Sequence, residues 1–285
     1  MTDADSKIVV ITGASRGMGQ AAAREIAKRG HTVVATMRDP AHFEALRDSP
    51  GTFDFERMDV DDANNVKAAM ASIEARHGRI DVLLNNAGYG VYGAVEDLSE
   101  AELTAQWTTN TLGTWRTCCA VLPGMRARHA GRILNVLTSV RSPLPWMGAY
   151  FASKAAVWQL SAAMAYEVAA TGVEVAVIQP GGYKTDWQTD SLWVTERSRE
   201  GHSPYGTQTE ESLAAFRRFS EGWQGPDDFG QRVALLAEVP SIPFWNIVAH
   251  EDHQERGQPS QLTFEEQGAL LREAIPGFIP PGAPL

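Results

Sequence analysis

The sequence predicts an α/β fold: a doubly wound parallel sheet of about seven strands with helices on both faces. Three observations carry this prediction. Short β-rich apolar runs recur along the chain, longer stretches of helical periodicity separate them, and a glycine-rich turn follows the first run. Continuous rather than alternating apolar runs mark strands buried on both faces, and their alternation with helices calls for right-handed βαβ crossovers.

The first strand is IVVIT (8 to 12), and the glycine-rich turn leads from it into an alanine-rich helix, Gly17 to Lys28. TVVAT (32 to 36) is the second run. Asp62 to Arg76 reads as a helix whose acidic residues sit at its positive end, where they favour the dipole. DVLLN (81 to 85) follows, and Ser99 then opens SEAE, a capping box before a long helix. The remaining runs are RILNVLT (132 to 138), VEVAVIQ (173 to 179) and FWNIVA (244 to 249), with a helix over Tyr150 to Ala169. Between about Trp187 and Gly225 aromatic, Gly, Pro, Ser and charged residues mix without a period, which predicts a substrate lid inserted after a strand. From Glu251 to Leu285 the chain forms an extension with one helical stretch, Thr263 to Ala274, and a proline-rich end that can neither continue a helix nor pair centrally in a sheet. With 285 residues, 44 % of them apolar, the whole chain is expected to build one domain.

A formal charge of −10 argues against nucleic acid as a partner, because phosphate-backbone affinity comes from clustered Lys and Arg. The first residues, MTDADSK, are polar and acidic, and no stretch approaches the length of an apolar membrane span, so the expectation is a cytoplasmic protein with no membrane partner. Cys118 and Cys119, the two cysteines, are sequence neighbours in a helical pattern and suit core packing in a reducing compartment.

The turn after the first strand admits two readings. Gly13-Ala14-Ser15-Arg16-Gly17 spells the G-x-S-x-G of a nucleophile elbow, which would make Ser15 the nucleophile of a hydrolase. Gly13, Gly17 and Gly19 equally spell a turn that receives a dinucleotide phosphate. An elbow normally has earlier strands and an oxyanion loop upstream, and here a single strand precedes it. A phosphate-binding turn belongs after the first strand, with the next helix pointing its positive end at the ligand. Position favours the cofactor.

TGASRGMG (12 to 19) resembles the T-G-x-x-x-G-x-G motif of the short-chain dehydrogenase/reductase family. Further motifs of that family follow in order: NNAG at 85 to 88, Asn110 in TTNTLG, Ser139 ending NVLTS, Tyr150 and Lys154 in YFASK, and PGGYKT at 180 to 185. The resemblance is close over about residues 7 to 187 and looser through Ala249. It implies the Rossmann fold and NAD(P)-dependent interconversion of carbonyl and alcohol on a small molecule.

Reducing a carbonyl requires a proton donor beside the carbonyl oxygen, and a free tyrosine titrates near about 10, too high for easy release. Lys154 lies four residues after Tyr150 on the same helical face, where its charge can favour tyrosinate and lower that pKa. The resemblance implies that Tyr150 is the general acid/base, that Lys154 also binds the nicotinamide ribose, that Ser139 hydrogen-bonds the substrate oxygen, and that Asn110 supports a water-linked relay to Lys154. Ser139 precedes Tyr150 by eleven residues, a short spacing that contains two prolines, and Ser142 offers a competing hydroxyl. The intact set argues against a non-catalytic NADP-binding scaffold.

Arg38 follows the second strand and Arg16 lies in the glycine turn, a pairing that favours NADP over NAD through the 2′-phosphate, with Asp39 as the counter-signal. Family matching also implies cofactor contacts from Gly13, Ser15, Arg16, Gly17, Met18 and Gly19, from Asp59 and Val60 near the adenine, from Asn86, Ala87 and Gly88 along the ribose, and from Pro180, Gly181 and Thr185 near the carboxamide.

Of eight tryptophans, Trp146, Trp187, Trp193 and Trp223 fall in loops after strands with Tyr89 and Tyr92, where a doubly wound sheet places its ligand crevice. Tyr89, Trp146, Trp187 and Trp193 are therefore expected to line an apolar pocket for a hydrophobic or ring-containing substrate. His250-Glu251-Asp252-His253 lacks metal-ligand spacing, so no metal is predicted. Family members are commonly homodimers or homotetramers built through the helices matching Leu103 to Arg128 and Tyr150 to Ala169, and the same is expected here.

Overall fold

The computed structural model describes residues 6–139, 144–249, 272–273 and 275–277. Its strands, in chain order, are β1 (Ile8–Thr12), β2 (Thr32–Met37), β3 (Thr52–Arg57), β4 (Val82–Asn85), β5 (Gly90–Tyr92), β6 (Gly131–Val136), β7 (Val173–Pro180), β8 (Leu192–Val194) and β9 (Trp245–Val248). The helices are α1 (Gly17–Lys28), α2 (Glu44–Arg47), α3 (Ala63–His77), α4 (Glu100–Trp107), α5 (Thr114–Ala127), α6 (Gly148–Val168), α7 (Trp187–Asp190), α8 (Glu196–Arg199), α9 (Gly206–Glu221) and α10 (Asp227–Glu238).

Seven strands form one sheet in the order β3-β2-β1-β4-β6-β7-β9, and every pairing in it is parallel. The expected doubly wound Rossmann sheet is present. Its central strands are the continuous apolar runs because both faces are covered. On one face Ala22, Ala23 and Ile26 of α1 pack with Phe229, Val233 and Ala234 of α10; on the other, Val66, Met70 and Ile73 of α3 meet Val121 and Met125 of α5. The strand that an apolar-run criterion passes over is β3, TFDFER, at the sheet edge. Phe53 and Phe55 alternate with polar residues, as suits a strand with one wet face.

Helix ends follow their chemistry. Asp62 lies outside α3 as its N-cap, accepting hydrogen bonds from Asn64 N and Asn65 N. The capping box at Ser99 forms in both directions, Ser99 Oγ accepting from Glu102 N (3.2 Å) and Glu102 Oε2 from Ser99 N (2.9 Å). The long helix expected beyond it is interrupted: a π-helical turn, Thr108–Gly113, joins α4 to α5.

The lid expected over residues 187–225 contains α7, β8, α8 and α9. The sixteen-residue α9 escapes a hydrophobicity pattern because three of its six buried positions, Thr209, Ser212 and Ser220 beside Leu213, Ala215 and Phe216, are hydroxyl residues. Strand β8 pairs in parallel with β5, Gly90 to Leu192 and Tyr92 to Val194, and so fastens the lid to the segment after β4. Beneath it Tyr92, Met147, Phe151, Leu192 and Phe216 form a separate apolar cluster. Ile275 of the C-terminal extension is buried in that cluster. The His250–His253 sequence, Ser142 and most of the extension lie outside the described residues. Among the described residues, no helix is long and apolar enough to cross a membrane.

Candidate active site

Strand order reverses between β1 and β4, and a doubly wound sheet opens its crevice beyond the carboxyl ends at such a point. The loop after β1 and the loop after β4 are tied together there. Thr12 Oγ1 accepts from Asn86 N and Ala87 N, both at 3.0 Å, while Asn86 Nδ2 donates to Thr12 O (3.1 Å) and Gly13 O (3.0 Å). Gly13 and Gly17 have φ of +65° and +55°, and a Cβ at Gly19 would stand 2.4 Å from Asn86 Nδ2 and Gly13 O. A side chain at these positions would strain the turn or push the two loops apart. The N-terminus of α1 has no side-chain cap and no acidic residue in its first turn, so its N–H groups suit an anion. The cradle therefore fits a dinucleotide pyrophosphate. Ser15 belongs to the turn, its carbonyl accepting from Gln20 Nε2 (3.1 Å), and the Met18 side chain packs against the core.

The two arginines differ. Arg38 is exposed at the end of β2, and Asp39, the counter-signal, turns its carboxylate to cap the following turn by accepting from Ala41 N (2.9 Å). Arg16 reaches the lid instead, its guanidinium 2.8 Å from both Asp190 Oδ2 and Ser191 Oγ. Asp59 accepts from Asp61 N (3.1 Å), and Val60, buried, packs under Gly113 of the π-helical turn.

That turn presents Asn110. Its Oδ1 accepts from Tyr89 N (3.1 Å), and its Nδ2 donates to Tyr89 O (2.9 Å) and Ser153 Oγ (3.0 Å). Its main-chain carbonyl accepts from Thr114 Oγ1 (2.9 Å). A Cβ at Gly88 would lie 3.0 Å from Asn110 Oδ1 and 3.4 Å from Lys154 Nζ, which brings NNAG, Asn110 and Lys154 to one place. Lys154, 4 % exposed, donates from Nζ to Val136 O (2.8 Å) at the end of β6.

Tyr150 and Lys154 share the N-terminal turns of α6, and burial acts on both side chains. Burial pushes Tyr150 up to about 12, and a side-chain hydrogen bond with Thr138 opposes the rise. Burial also brings Lys154 down to about 8. Burial thus favours the uncharged form of both side chains.

The Thr138 hydroxyl hydrogen-bonds Tyr150, and Ser139, the residue expected to meet the substrate oxygen, follows it directly in the chain.

Aromatic side chains close the other side. Trp187 packs on Tyr150 with ring centroids 5.2 Å apart, and Trp193 on Tyr89 at 5.0 Å. Trp193 is 57 % exposed, so the Tyr89–Trp193 pair forms a rim rather than a pocket floor. Trp146 has φ of +66°, a left-handed backbone costly for a bulky residue, just before α6; its carbonyl accepts from Gly93 N (2.7 Å). After β7, which ends at Pro180, Gly181 N donates to Val248 O (2.8 Å), and Thr185 comes within 3.3 Å of a Cβ placed on Gly17. Thr138, Gln188 and Asp190 bond to Tyr150, Thr185 and Arg16 respectively, and the sequence motifs do not mark them.

Fold and site together define a dinucleotide-dependent α/β oxidoreductase. The chain belongs to the short chain dehydrogenase family, whose model matches residues 7–193. It is 40 % identical over 195 residues to oxidoreductase BOA17 of Botryotinia fuckeliana, covering 66 % of this chain and 70 % of that protein. It is 33 % identical over 240 residues to a 3-ketodihydrosphingosine reductase of Bacteroides thetaiotaomicron, covering 84 % and 86 %. Among solved structures it resembles a variant of actinorhodin polyketide ketoreductase with NADPH, at a TM-score of 0.72 and 28 % identity, covering 88 % of this chain and 97 % of that one.

Proposed function

We propose that this protein is an NADP(H)-dependent reductase of hydrophobic or ring-containing carbonyl compounds, with Tyr150 as the proton donor. The observation that carries the reading is the convergence on Tyr150: polar groups from Thr138 on one side, and the Trp187 ring on the other. The cofactor supplies the hydride when bound. Gly13, Gly17 and Gly19 admit its pyrophosphate, Arg38 pairs with the 2′-phosphate, Asp59 and Val60 border the adenine, and Asn86, Ala87, Gly88 and Lys154 line the ribose side. Solved relatives that hold NADP or NADPH support the choice of nucleotide.

As the carbonyl carbon becomes tetrahedral, the negative charge developing on its oxygen is met by the Tyr150 hydroxyl, which transfers its proton and becomes tyrosinate. The tyrosinate is held by the Lys154 ammonium and the Thr138 hydroxyl. Trp187 and the lid cluster exclude water, which strengthens both interactions. The apolar lining selects bulky apolar substrates. Exposed Trp107, Leu112, Trp115, Leu160 and Tyr166 on α4 to α6 support a homodimer or homotetramer, and the two free cysteines support a cytoplasmic setting.

The test is NADPH oxidation against a panel of ketones and aldehydes graded in size and polarity. Turnover that rises with apolar bulk is expected. Activity confined to small polar carbonyls would overturn the substrate reading.

A further inference from the structure

Gln188 is buried in α7, 7 % exposed, where nothing in the reaction requires an amide. Its Nε2 donates to Tyr183 O (2.8 Å), and its Oε1 accepts from Thr185 N (3.1 Å). These two bonds fix which end of the amide is which, because a carbonyl cannot donate and a main-chain N–H cannot accept. Oε1 also lies 3.4 Å from Thr185 Oγ1, and Trp187 N donates to the same hydroxyl at 3.2 Å. A hydroxyl has one proton and two lone pairs. The Thr185 proton is directed at Gln188 and one lone pair takes the Trp187 N–H, so one acceptor lone pair is left for a ligand.

We propose that Gln188 is a positioning residue that sets the polarity of Thr185, making the nicotinamide half of the site an acceptor for the carboxamide NH2 group. The inference rests on the reading above that Thr185 faces the carboxamide. It explains why the turn 183–188 is knit by a buried side chain: the same bonds that orient Thr185 carry Trp187 to its place 5.2 Å from Tyr150. Docking of α7 therefore assembles the carboxamide site and the apolar wall of the catalytic tyrosine together.

The test measures dissociation constants by calorimetry for NADP+, for its 3-acetylpyridine analogue, in which a methyl ketone replaces the carboxamide, and for 2′,5′-ADP, which lacks the nicotinamide. A lost hydrogen bond corresponds to roughly a tenfold weakening. The unsubstituted protein should prefer NADP+ to the analogue by about tenfold. Gln188→Leu should abolish that preference while changing 2′,5′-ADP affinity less than about twofold. A double Gln188→Leu/Thr185→Val variant should be no worse than either single one. Survival of the preference in Gln188→Leu, or equal weakening of 2′,5′-ADP, overturns the positioning role and leaves the cofactor site standing. Absence of any preference in the unsubstituted protein overturns the carboxamide reading and the positioning role with it.

Discussion

The groove between β1 and β4 and the lid over residues 187–221 are built from opposite materials. The groove is backbone, glycine and short polar side chains, with the side chains of Thr12, Asn86 and Asn110 tying loops by hydrogen bonds to main-chain groups. The lid is large rings and long side chains that touch the groove at a few points: Trp187 on Tyr150, Gln188 on Thr185, Asp190 on Arg16 and Trp193 on Tyr89. A surface that must bring main chain up to a phosphate leaves little choice of residue. A surface that only has to be apolar and shaped leaves much more. The groove thus defines chemistry and the lid defines substrate, and substitutions should separate the two.

The largest effect is expected in the groove. Tyr150→Phe should lower kcat by about 10²- to 10⁴-fold, the usual range for a positioned proton donor, with NADPH affinity unchanged in a fluorescence titration. Next, Ser139→Ala should lower kcat/KM by roughly tenfold or more, as a hydrogen bond to the substrate oxygen is lost, and Thr138→Val, which removes the hydrogen bond to Tyr150, should lower it by less. Arg38→Ala should weaken NADPH by about tenfold and leave NADH nearly unaffected, because a charge-assisted contact to phosphate is lost. Arg16→Ala should do much less, since Arg16 is engaged with the lid.

The pH profile sharpens the division. With Lys154 near 8, carbonyl reduction should hold steady to about pH 8 and fall above it, as the ammonium that supports tyrosinate loses its proton. Tyr150, near 12, stays protonated throughout that range, so the fall belongs to the lysine. A rate that rises through pH 8 would contradict the assignment. The smallest effect is expected from Asp190→Asn: both partners of its ion pair with Arg16 are about half exposed, at 44 % and 56 %, so thermal stability should drop by less than about 1 kcal/mol.

The same contrast governs what could be read from sequence. Gly13, Gly17 and Gly19 announce themselves because the turn needs positive φ and a close approach, and Tyr150 and Lys154 because a helix sets their spacing. The Thr138–Tyr150 hydrogen bond joins the end of one strand to a helix twelve residues on, and no motif marks it. Strand β3 was hidden by its edge position, and α9 by inward-facing Thr209, Ser212 and Ser220. The diversion of Arg16 depends on Asp190, 174 residues away, and no local pattern contains such a contact.

The most direct measurement of the central claim pairs binding with turnover in the same two proteins. The unsubstituted protein and Tyr150→Phe are titrated with NADPH and then given a bulky apolar ketone. Equal NADPH affinity with oxidation in the unsubstituted protein alone is the predicted result. Oxidation undiminished in Tyr150→Phe, or no NADPH binding by the unsubstituted protein, would contradict it.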